Sequence, residues 1–239
     1  MIEDYQFTEN QLNQLKYVPR LTQDGFTKRE LSDELFFQIK KYYEDNINNF
    51  YMEESGLGKN GIGNVKDLEG PAAYIAYNHD FTTLVLENLK KVHEDWCGFK
   101  LKASMGYGPR KYINGSYLQP HADKPYTHVI SSIVNIDQDD NHDWPLQIYG
   151  YDDKVHEVFL KPGEILLYEG SKLLHGRIYP YKGTHFVNLF LHYRPVEYHI
   201  PRVDIDGFVK LKELTEENDW INFYNNNTSE RIVGKKFYE

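Results

Sequence analysis

The pattern of apolar and polar residues predicts helices in the first part of the chain. Thr27 and Glu30 have the spacing of a capping box, in which two side chains bond to the free backbone N–H groups of a helix start. Apolar residues then recur at helical spacing, at Leu31, Leu35, Ile39, Tyr43 and Ile47. We therefore expect a first helix that begins near Thr27.

A second helix is predicted from Asp80 to Gly98. Asp80 is a residue type that favours a helix start, and Gly98 is placed to end the helix. The side chains expected to form its buried stripe are Phe81, Leu84, Leu89, Val92 and Trp96. The glycine-rich segment 56–64 between the two helices interrupts the pattern and is predicted to be a surface loop.

The pattern changes at Phe99, after which short apolar or alternating runs predict β-strands. These runs lie at 99–108, 110–113, 128–136, 145–151, 156–160, 164–170, 175–179 and 185–193. Turns are predicted at Asp152–Lys154 and at Pro162–Gly163. The number and spacing of the strands predict an α+β, mainly β protein with a double-stranded β-helix (jelly-roll) core.

The order of these segments also predicts the domain organisation. Residues 1–98 would form a helical support packed on the core, and residues 99–200 would form the jelly roll. The charged, asparagine-rich residues 201–239 are predicted to be a C-terminal appendage, so that all three parts make one structural domain. Because helices precede strands and do not alternate with them, a Rossmann fold or a βα-barrel is not expected.

Composition narrows the classes of function. Cys97 is the only cysteine, which excludes a disulfide framework and a zinc site of several thiolates. The net charge of -9 disfavours nucleic acid as a partner, since binding a phosphate backbone requires basic groups on the protein surface. The polar amino terminus lacks a signal-peptide core, and no apolar run is long enough to cross a bilayer. We expect a soluble cytoplasmic protein that does not associate with membranes.

The candidate chemistry begins with His121 and Asp123. Residues two apart on a strand project to the same side, so these two side chains could share one metal ion. A third ligand is required, and His175 at the start of a later strand is the candidate. Two histidines and one carboxylate form a facial triad, which favours non-haem Fe(II) with open positions for a keto-acid and O₂. The alternative is that these are ordinary polar residues at strand ends.

Two segments carry a resemblance to a known family. The first reads "KYINGSYLQPHADKP" and places Tyr112 and Gly115 ahead of His121 and Asp123. The second reads "KPGEILLYEGSKLLHGRIYPYKGTHF" and contains a Pro-Gly turn, a strand and His175. Together they resemble the prolyl 4-hydroxylase-like Fe(II)/2-oxoglutarate-dependent oxygenases, over about a third of the chain (111–195).

The resemblance implies a function and a set of site residues. His121, Asp123 and His175 would bind Fe(II), and Tyr112 would donate a hydrogen bond to the co-substrate 2-oxoglutarate. The activity would be hydroxylation of an unactivated C–H bond with O₂, in a prolyl residue or a related amino-acid substrate. The partners would be this small-molecule co-substrate and a peptide or amino-acid substrate. Ascorbate is a further candidate cofactor.

The chain departs from the family at the basic residue that pairs with the far carboxylate of 2-oxoglutarate. His185 stands where the family has lysine or arginine. Three residues could replace it: His185 itself with help from Thr184, Arg177 on the same side of the strand as His175, or Lys182.

Two polar residues in buried strands, Asn135 and Gln147, are further candidates for the pocket lining. Their alternative role is a hydrogen bond to a neighbouring strand. Two other functions also stay open at this point. One is a cupin-like metalloenzyme that uses no keto-acid, and the other is a non-catalytic jelly-roll binding module. The sequence leaves the oligomeric state open.

Overall fold

The computed structural model describes residues 14–15, 18–52, 72–75 and 78–197 of the 239-residue chain. The predicted loop at 56–64 and the predicted appendage at 201–239 lie outside the described residues. Within these ranges no helix has the length and apolar character that crossing a membrane requires.

The described part of the chain contains two longer helices and eleven strands. The helices are α1 (Asp33–Asp45) and α2 (His79–Cys97). The strands are β1 (Phe26–Glu30), β2 (Phe50–Met52), β3 (Ala72–Ile75), β4 (Leu101–Tyr112), β5 (Leu118–His121), β6 (Ile130–Gln138), β7 (Leu146–Tyr149), β8 (Val155–Val158), β9 (Glu164–Tyr168), β10 (His175–Arg177) and β11 (Phe186–Pro195).

The strands form two antiparallel sheets. The major sheet has the order β1-β9-β6-β11-β4-β3-β2, and the minor sheet has the order β5-β10-β7-β8. One apolar core lies between the helices and the outer face of the major sheet, and a second, aromatic core lies between the two sheets. The predicted mainly-β jelly roll is confirmed.

The start of the first helix differs from the prediction. Thr27 and Glu30 lie in strand β1, which pairs with β9, and the helix is instead capped by Ser32, whose side chain accepts a hydrogen bond from the Leu35 N–H. A capping-box spacing reports only local preference, and pairing with the edge of the major sheet decides the conformation here. Ile47 lies beyond the helix and is exposed.

Helix α2 has the predicted end but a different buried face. Gly98 caps it in the left-handed conformation, with φ of 79°, and Asn78 caps its start. Leu84 and Val92 of the predicted stripe are exposed. The buried face consists of Thr82, Val85, Leu86, Leu89, His93 and Cys97. Apolar residues lie on two sides of this helix, and the side that meets the sheet includes polar residues that an apolar pattern does not count.

The strand predictions need three changes. The predicted runs 99–108 and 110–113 form one long strand, β4, because pairing with β11 continues through both. The predicted helical part contributes three strands to the major sheet. The strand predicted to carry both His121 and Asp123 is the short β5, which ends at His121 and leaves Asp123 two residues beyond it. Both predicted turns are confirmed, with φ of 59° at Asp153 and 89° at Gly163.

Candidate metal centre

Strands β5 and β10 bring the three predicted ligands together. His121 is the last residue of β5 and His175 the first of β10, and the two are direct partners in the antiparallel register. Asp123 follows β5 by two residues. One ligand atom from each of the three side chains lies within 4.8 Å of the others. The minor sheet therefore builds the centre from residues more than 50 positions apart in the sequence.

The distances suit one shared ion. Asp123 Oδ1 lies 3.6 Å from His121 Nε2 and 3.7 Å from His175 Nε2. Two ligands that each bind an ion at about 2 Å are separated by up to about 4 Å. The donor set, two imidazoles and one carboxylate, is the set that non-haem iron uses with one face left open.

The orientation of His175 is fixed by its other ring nitrogen. Nδ1 donates to the carbonyl oxygen of Leu173 at 2.8 Å, which leaves Nε2 directed at Asp123. Burial lowers the pKa of His175 to about 4, although the Asp123 carboxylate acts in the opposite direction. His175 is thus neutral at physiological pH, the state in which imidazole binds a metal.

Two hydroxyl groups form hydrogen bonds to the second carboxylate oxygen of Asp123. Ser131 Oγ lies 3.2 Å and the Tyr168 hydroxyl 3.3 Å from Asp123 Oδ2, and both donate to it. The backbone N–H of Asp123 donates to the Gly170 carbonyl oxygen at 2.8 Å. These bonds hold the carboxylate so that Oδ1 faces the two imidazoles.

Electrostatics keep the carboxylate ionised. Burial by itself would raise the pKa of Asp123, but His175, His121 and His192 around it hold that pKa well below its ordinary value. Burial and the Asp123 charge raise the pKa of Tyr168 well above 10, so its hydroxyl keeps the proton that it donates. One carboxylate charge beside two imidazole rings suits a divalent cation.

Three residues of this support were missed by sequence reasoning: Ser131, Tyr168 and Gly170. Ser131 also contacts His192 Nδ1 at 2.8 Å, and the His192 ring lies 3.7 Å from that of His128. The available signal was the alternation along β6, which directs Ser131 and the apolar Ile133 to the same face of the major sheet.

An N-terminal segment braces the loop that precedes His175. Gln14 Nε2 donates to the carbonyl oxygens of Asp123 at 2.5 Å and Ser171 at 3.0 Å, and so joins the loop that carries Asp123 to the loop that precedes His175. Lys172, fully buried, donates from Nζ to the Leu15 carbonyl oxygen at 2.5 Å. The sequence pattern gave no indication of this long-range brace.

Glu169 also connects the loop that precedes His175 to the N-terminal part of the chain. Its buried carboxylate accepts from the N–H groups of Leu21 and Thr22, each at 2.8 Å, and from the Thr22 hydroxyl at 2.6 Å. Burial raises the pKa of Glu169, while these hydrogen bonds lower it.

Arg177 lies inside the protein, two residues beyond His175. Its guanidinium stacks over Trp144 at 4.5 Å and Phe186 at 4.7 Å from the ring centres, and its Nη1 donates to the Trp144 carbonyl oxygen. Its Nη2 is buried and has no hydrogen-bond partner in the part of the chain that the structure describes. Burial lowers the pKa of Arg177 to about 10, so it stays cationic at neutral pH.

Tyr112 shares this end of the space between the sheets. It is buried at the end of β4, in edge contact with Trp144 at 5.0 Å between ring centres. Its hydroxyl oxygen accepts from Arg110 Nη1 at 3.0 Å. The tyrosine hydrogen is therefore available to an acceptor.

The remaining predicted residues lie elsewhere or are used within the protein. His185 Nε2 lies 3.3 Å from Asp137 Oδ2 and its Nδ1 is 2.9 Å from the Thr184 hydroxyl, while Lys182 is exposed. Gln147 accepts from the Ile178 N–H at 3.2 Å and donates to Glu157 at 3.3 Å.

Asn135, by contrast, lies on the face of β6 that looks into the space between the sheets. It donates to Gln138 at 2.5 Å and to the Leu160 carbonyl oxygen at 2.9 Å. Its Oδ1 has no partner among the described residues.

Comparison with known proteins gives a likeness of structure alone. No protein-family model matches the chain, and no curated protein sequence matches it. A prolyl-4-hydroxylase from Pseudomonas putida superposes with a TM-score of 0.50 at 12% identity, over 82% of this chain and 99% of that chain. The chain shares the double-stranded β-helix fold with this structure.

Two further structures with this double-stranded β-helix agree. HygX from Streptomyces hygroscopicus, with nickel, 2-oxoglutarate and hygromycin B bound, gives a TM-score of 0.52 at 15% identity, over 82% of this chain and 90% of that chain. The Trichoplax adhaerens prolyl hydroxylase, in complex with a peptide fragment of hypoxia inducible factor, gives 0.50 at 14% identity, over 81% and 96%.

Proposed function

We propose that this protein is an Fe(II)- and 2-oxoglutarate-dependent dioxygenase that hydroxylates an unactivated C–H bond. The observation that carries the proposal is the convergence of His121, Asp123 and His175 within 4.8 Å of one another. The double-stranded β-helix fold supports it, because the similar structures include prolyl hydroxylases and a protein that binds nickel and 2-oxoglutarate.

The metal ligands, the iron and the supporting residues have separate roles in this proposal. His121, Asp123 and His175 would hold iron on one face and leave the other face for exchangeable ligands. Bound iron, with O₂ and 2-oxoglutarate, supplies the oxidative chemistry that this fold otherwise lacks. Ser131 and Tyr168 hold the carboxylate ligand in place, and Leu173 fixes the tautomer of His175 through its carbonyl oxygen.

We assign Arg177 as the anchor of the far carboxylate of 2-oxoglutarate. A buried guanidinium with an unused N–H group is costly, and a carboxylate would satisfy it through a charge-assisted hydrogen bond. His185 is a weaker candidate because it pairs with Asp137 and Thr184. Tyr112, near the same end of the space between the sheets, would donate its hydroxyl hydrogen to this carboxylate.

The decisive experiment is anaerobic titration of the Fe(II)-loaded full-length protein with 2-oxoglutarate. We expect a weak visible charge-transfer band, followed by formation of succinate when air is admitted. His175→Ala should abolish both signals. His156→Ala is the matched control, because His156 lies partly exposed on β8 and bonds to Asp152. It should leave both signals intact.

Two other results would each point to a different function. Stoichiometric iron binding with neither the band nor succinate would favour a cupin-like metalloenzyme without a keto-acid. Absence of stoichiometric binding of iron, manganese or cobalt would favour a binding module. The anchor has a separate test: Arg177→Met should weaken 2-oxoglutarate binding by about a hundredfold while iron still binds.

For the primary substrate we propose a prolyl residue in a peptide or a related amino acid. Two of the similar structures are prolyl hydroxylases, and this is the support for the class. The test is incubation of the active protein with proline-containing peptides, free proline and other amino acids, with detection of the added oxygen atom by mass spectrometry. Succinate formation that none of these stimulates would refute this substrate class and leave the oxygenase proposal standing.

A further inference from the structure

Strand β11 directs alternate side chains into the space between the sheets. Phe186 and Phe190 belong to the aromatic core between the sheets, whereas Val187 and Leu189 belong to the core beneath the helices. Asn188 therefore faces the same space as Phe186 and Phe190, on the central strand of the major sheet.

Asn188 is fully buried, and both of its amide atoms lack a hydrogen-bond partner in the described part of the chain. Leaving buried polar groups unpaired is unfavourable, and a carboxamide has a strong donor and a strong acceptor. A residue of this kind on a central strand indicates a ligand contact, because an apolar residue of similar size would fill the same volume without cost.

The residues that flank Asn188 are also polar. In the register of the major sheet it pairs with Arg110 of β4 on one side and with Asn135 of β6 on the other. Asn135 likewise has an unpartnered oxygen, Oδ1. The inner face of the sheet is thus polar across three adjacent strands, between the aromatic Phe186 and Phe190.

This polar row lies on the same side as the proposed anchor. Arg177 packs over Phe186, the inward neighbour of Asn188 along β11, and Arg177 Nη2 also lacks a partner among the described residues. Both groups are buried, so a side chain must turn for a carboxylate to reach them.

We propose that Asn188 binds the far carboxylate of the keto-acid together with Arg177. In this chain a neutral amide on β11 would supply a further donor for the carboxylate, beside Arg177 Nη2 and the Tyr112 hydroxyl. Asn188 would donate through Nδ2. The inference rests on the proposed oxygenase function, and it predicts selection for keto-acids that carry a second carboxylate.

The test compares two probes on the manganese-loaded full-length protein by calorimetry. N-oxalylglycine has the metal-chelating end and a second carboxylate, whereas oxalate has the chelating end alone. Asn188→Leu should weaken N-oxalylglycine binding by about ten- to a hundredfold and leave oxalate binding unchanged. Asn188→Ala, with a smaller side chain, should give the same pattern and serves if the leucine variant does not fold.

A matched control is available on the next strand. Ser132 of β6 is also fully buried with an unpartnered hydroxyl, but it pairs with Leu167 and Leu191 of the core beneath the helices. Ser132→Ala should leave the binding of both probes unchanged. In the metal-free state, both Ser132→Ala and Asn188→Leu should raise the midpoint of thermal unfolding, because each removes an unsatisfied buried group.

The outcomes separate the two proposals. Equal N-oxalylglycine affinity in wild type and Asn188→Leu, or equal loss of both probes, overturns the role of Asn188 while the oxygenase proposal stands. A wild-type protein that binds manganese but not N-oxalylglycine overturns both. A loss confined to N-oxalylglycine supports the assignment, because a residue that only maintains the fold would not distinguish the two ends of the ligand.

Discussion

Gly170 packs directly against the carboxylate of Asp123. A Cβ at Gly170 would overlap both Asp123 Oδ2 and Ser131 Oγ, and it would lie 2.9 Å from the His128 carbonyl oxygen. We therefore expect Gly170→Ala to turn the carboxylate away from the two imidazoles. The affinity for Mn²⁺, measured by calorimetry, should fall at least about tenfold.

Gly98 provides the control for this substitution. It caps α2 with φ of 79° and has open space around its Cβ position, so Gly98→Ala strains the backbone far from the metal centre. Its unfolding free energy should fall by about 1 kcal/mol with metal affinity unchanged. A Gly170→Ala protein that binds Mn²⁺ like the wild type would show that the loop yields without moving Asp123.

The two donors behind Asp123 Oδ2 should tune metal binding without touching the ion. Ser131→Ala and Tyr168→Phe each remove one hydrogen bond to this oxygen. We expect each to weaken Co²⁺ binding by about tenfold and to alter the visible spectrum of the bound ion, since a freed carboxylate can change its coordination. An unchanged spectrum in both variants would contradict this role.

The N-terminal brace should contribute to the metal centre despite its distance in sequence. Gln14→Leu removes the two hydrogen bonds that join the Asp123 and Ser171 loops. We expect a several-fold loss of Co²⁺ affinity, because more of the ordering of the loops must then occur on metal binding. Gln23→Leu, at an exposed position of the same segment, should have no effect. If Gln14→Leu and Gln23→Leu bind Co²⁺ with equal affinity, the hydrogen bonds of Gln14 do not contribute to metal binding.

Because Lys172 is buried, we expect the unfolding free energy to rise between pH 7 and pH 9. Burial lowers its pKa from the ordinary lysine value of 10.5 to about 7, despite the opposing effect of Glu169. Between these values the unfolded chain binds more protons than the folded chain, so the unfolding free energy increases with pH. Chemical denaturation of the metal-free protein at pH 7, 8 and 9 should show a contribution of about 1 kcal/mol per pH unit.

Lys172→Met should remove this contribution, because methionine fills a similar volume and carries no proton. The difference in unfolding free energy between variant and wild type should therefore be largest at pH 7 and shrink toward pH 9. A difference that is constant over this range would mean that the ammonium group is well solvated in the folded state.

The local sequence determined those features that depend on neighbouring residues. The His-X-Asp pair, the Pro-Gly turn and the alternation from 99 onward predicted the jelly roll and the residues of the candidate centre. Gly98 predicted the end of α2 correctly, because a left-handed cap is a preference of glycine itself. Periodicity reports such preferences directly.

The tertiary structure decided what depends on pairing between distant segments. It placed Thr27 and Glu30 in a strand, selected the buried face of α2, and turned His185 toward Asp137 while leaving Arg177 inside. The donors to Asp123 and the brace from Gln14 come from strands and loops that meet only when the two sheets close. Their energies depend on those long-range contacts, and no local pattern contains them.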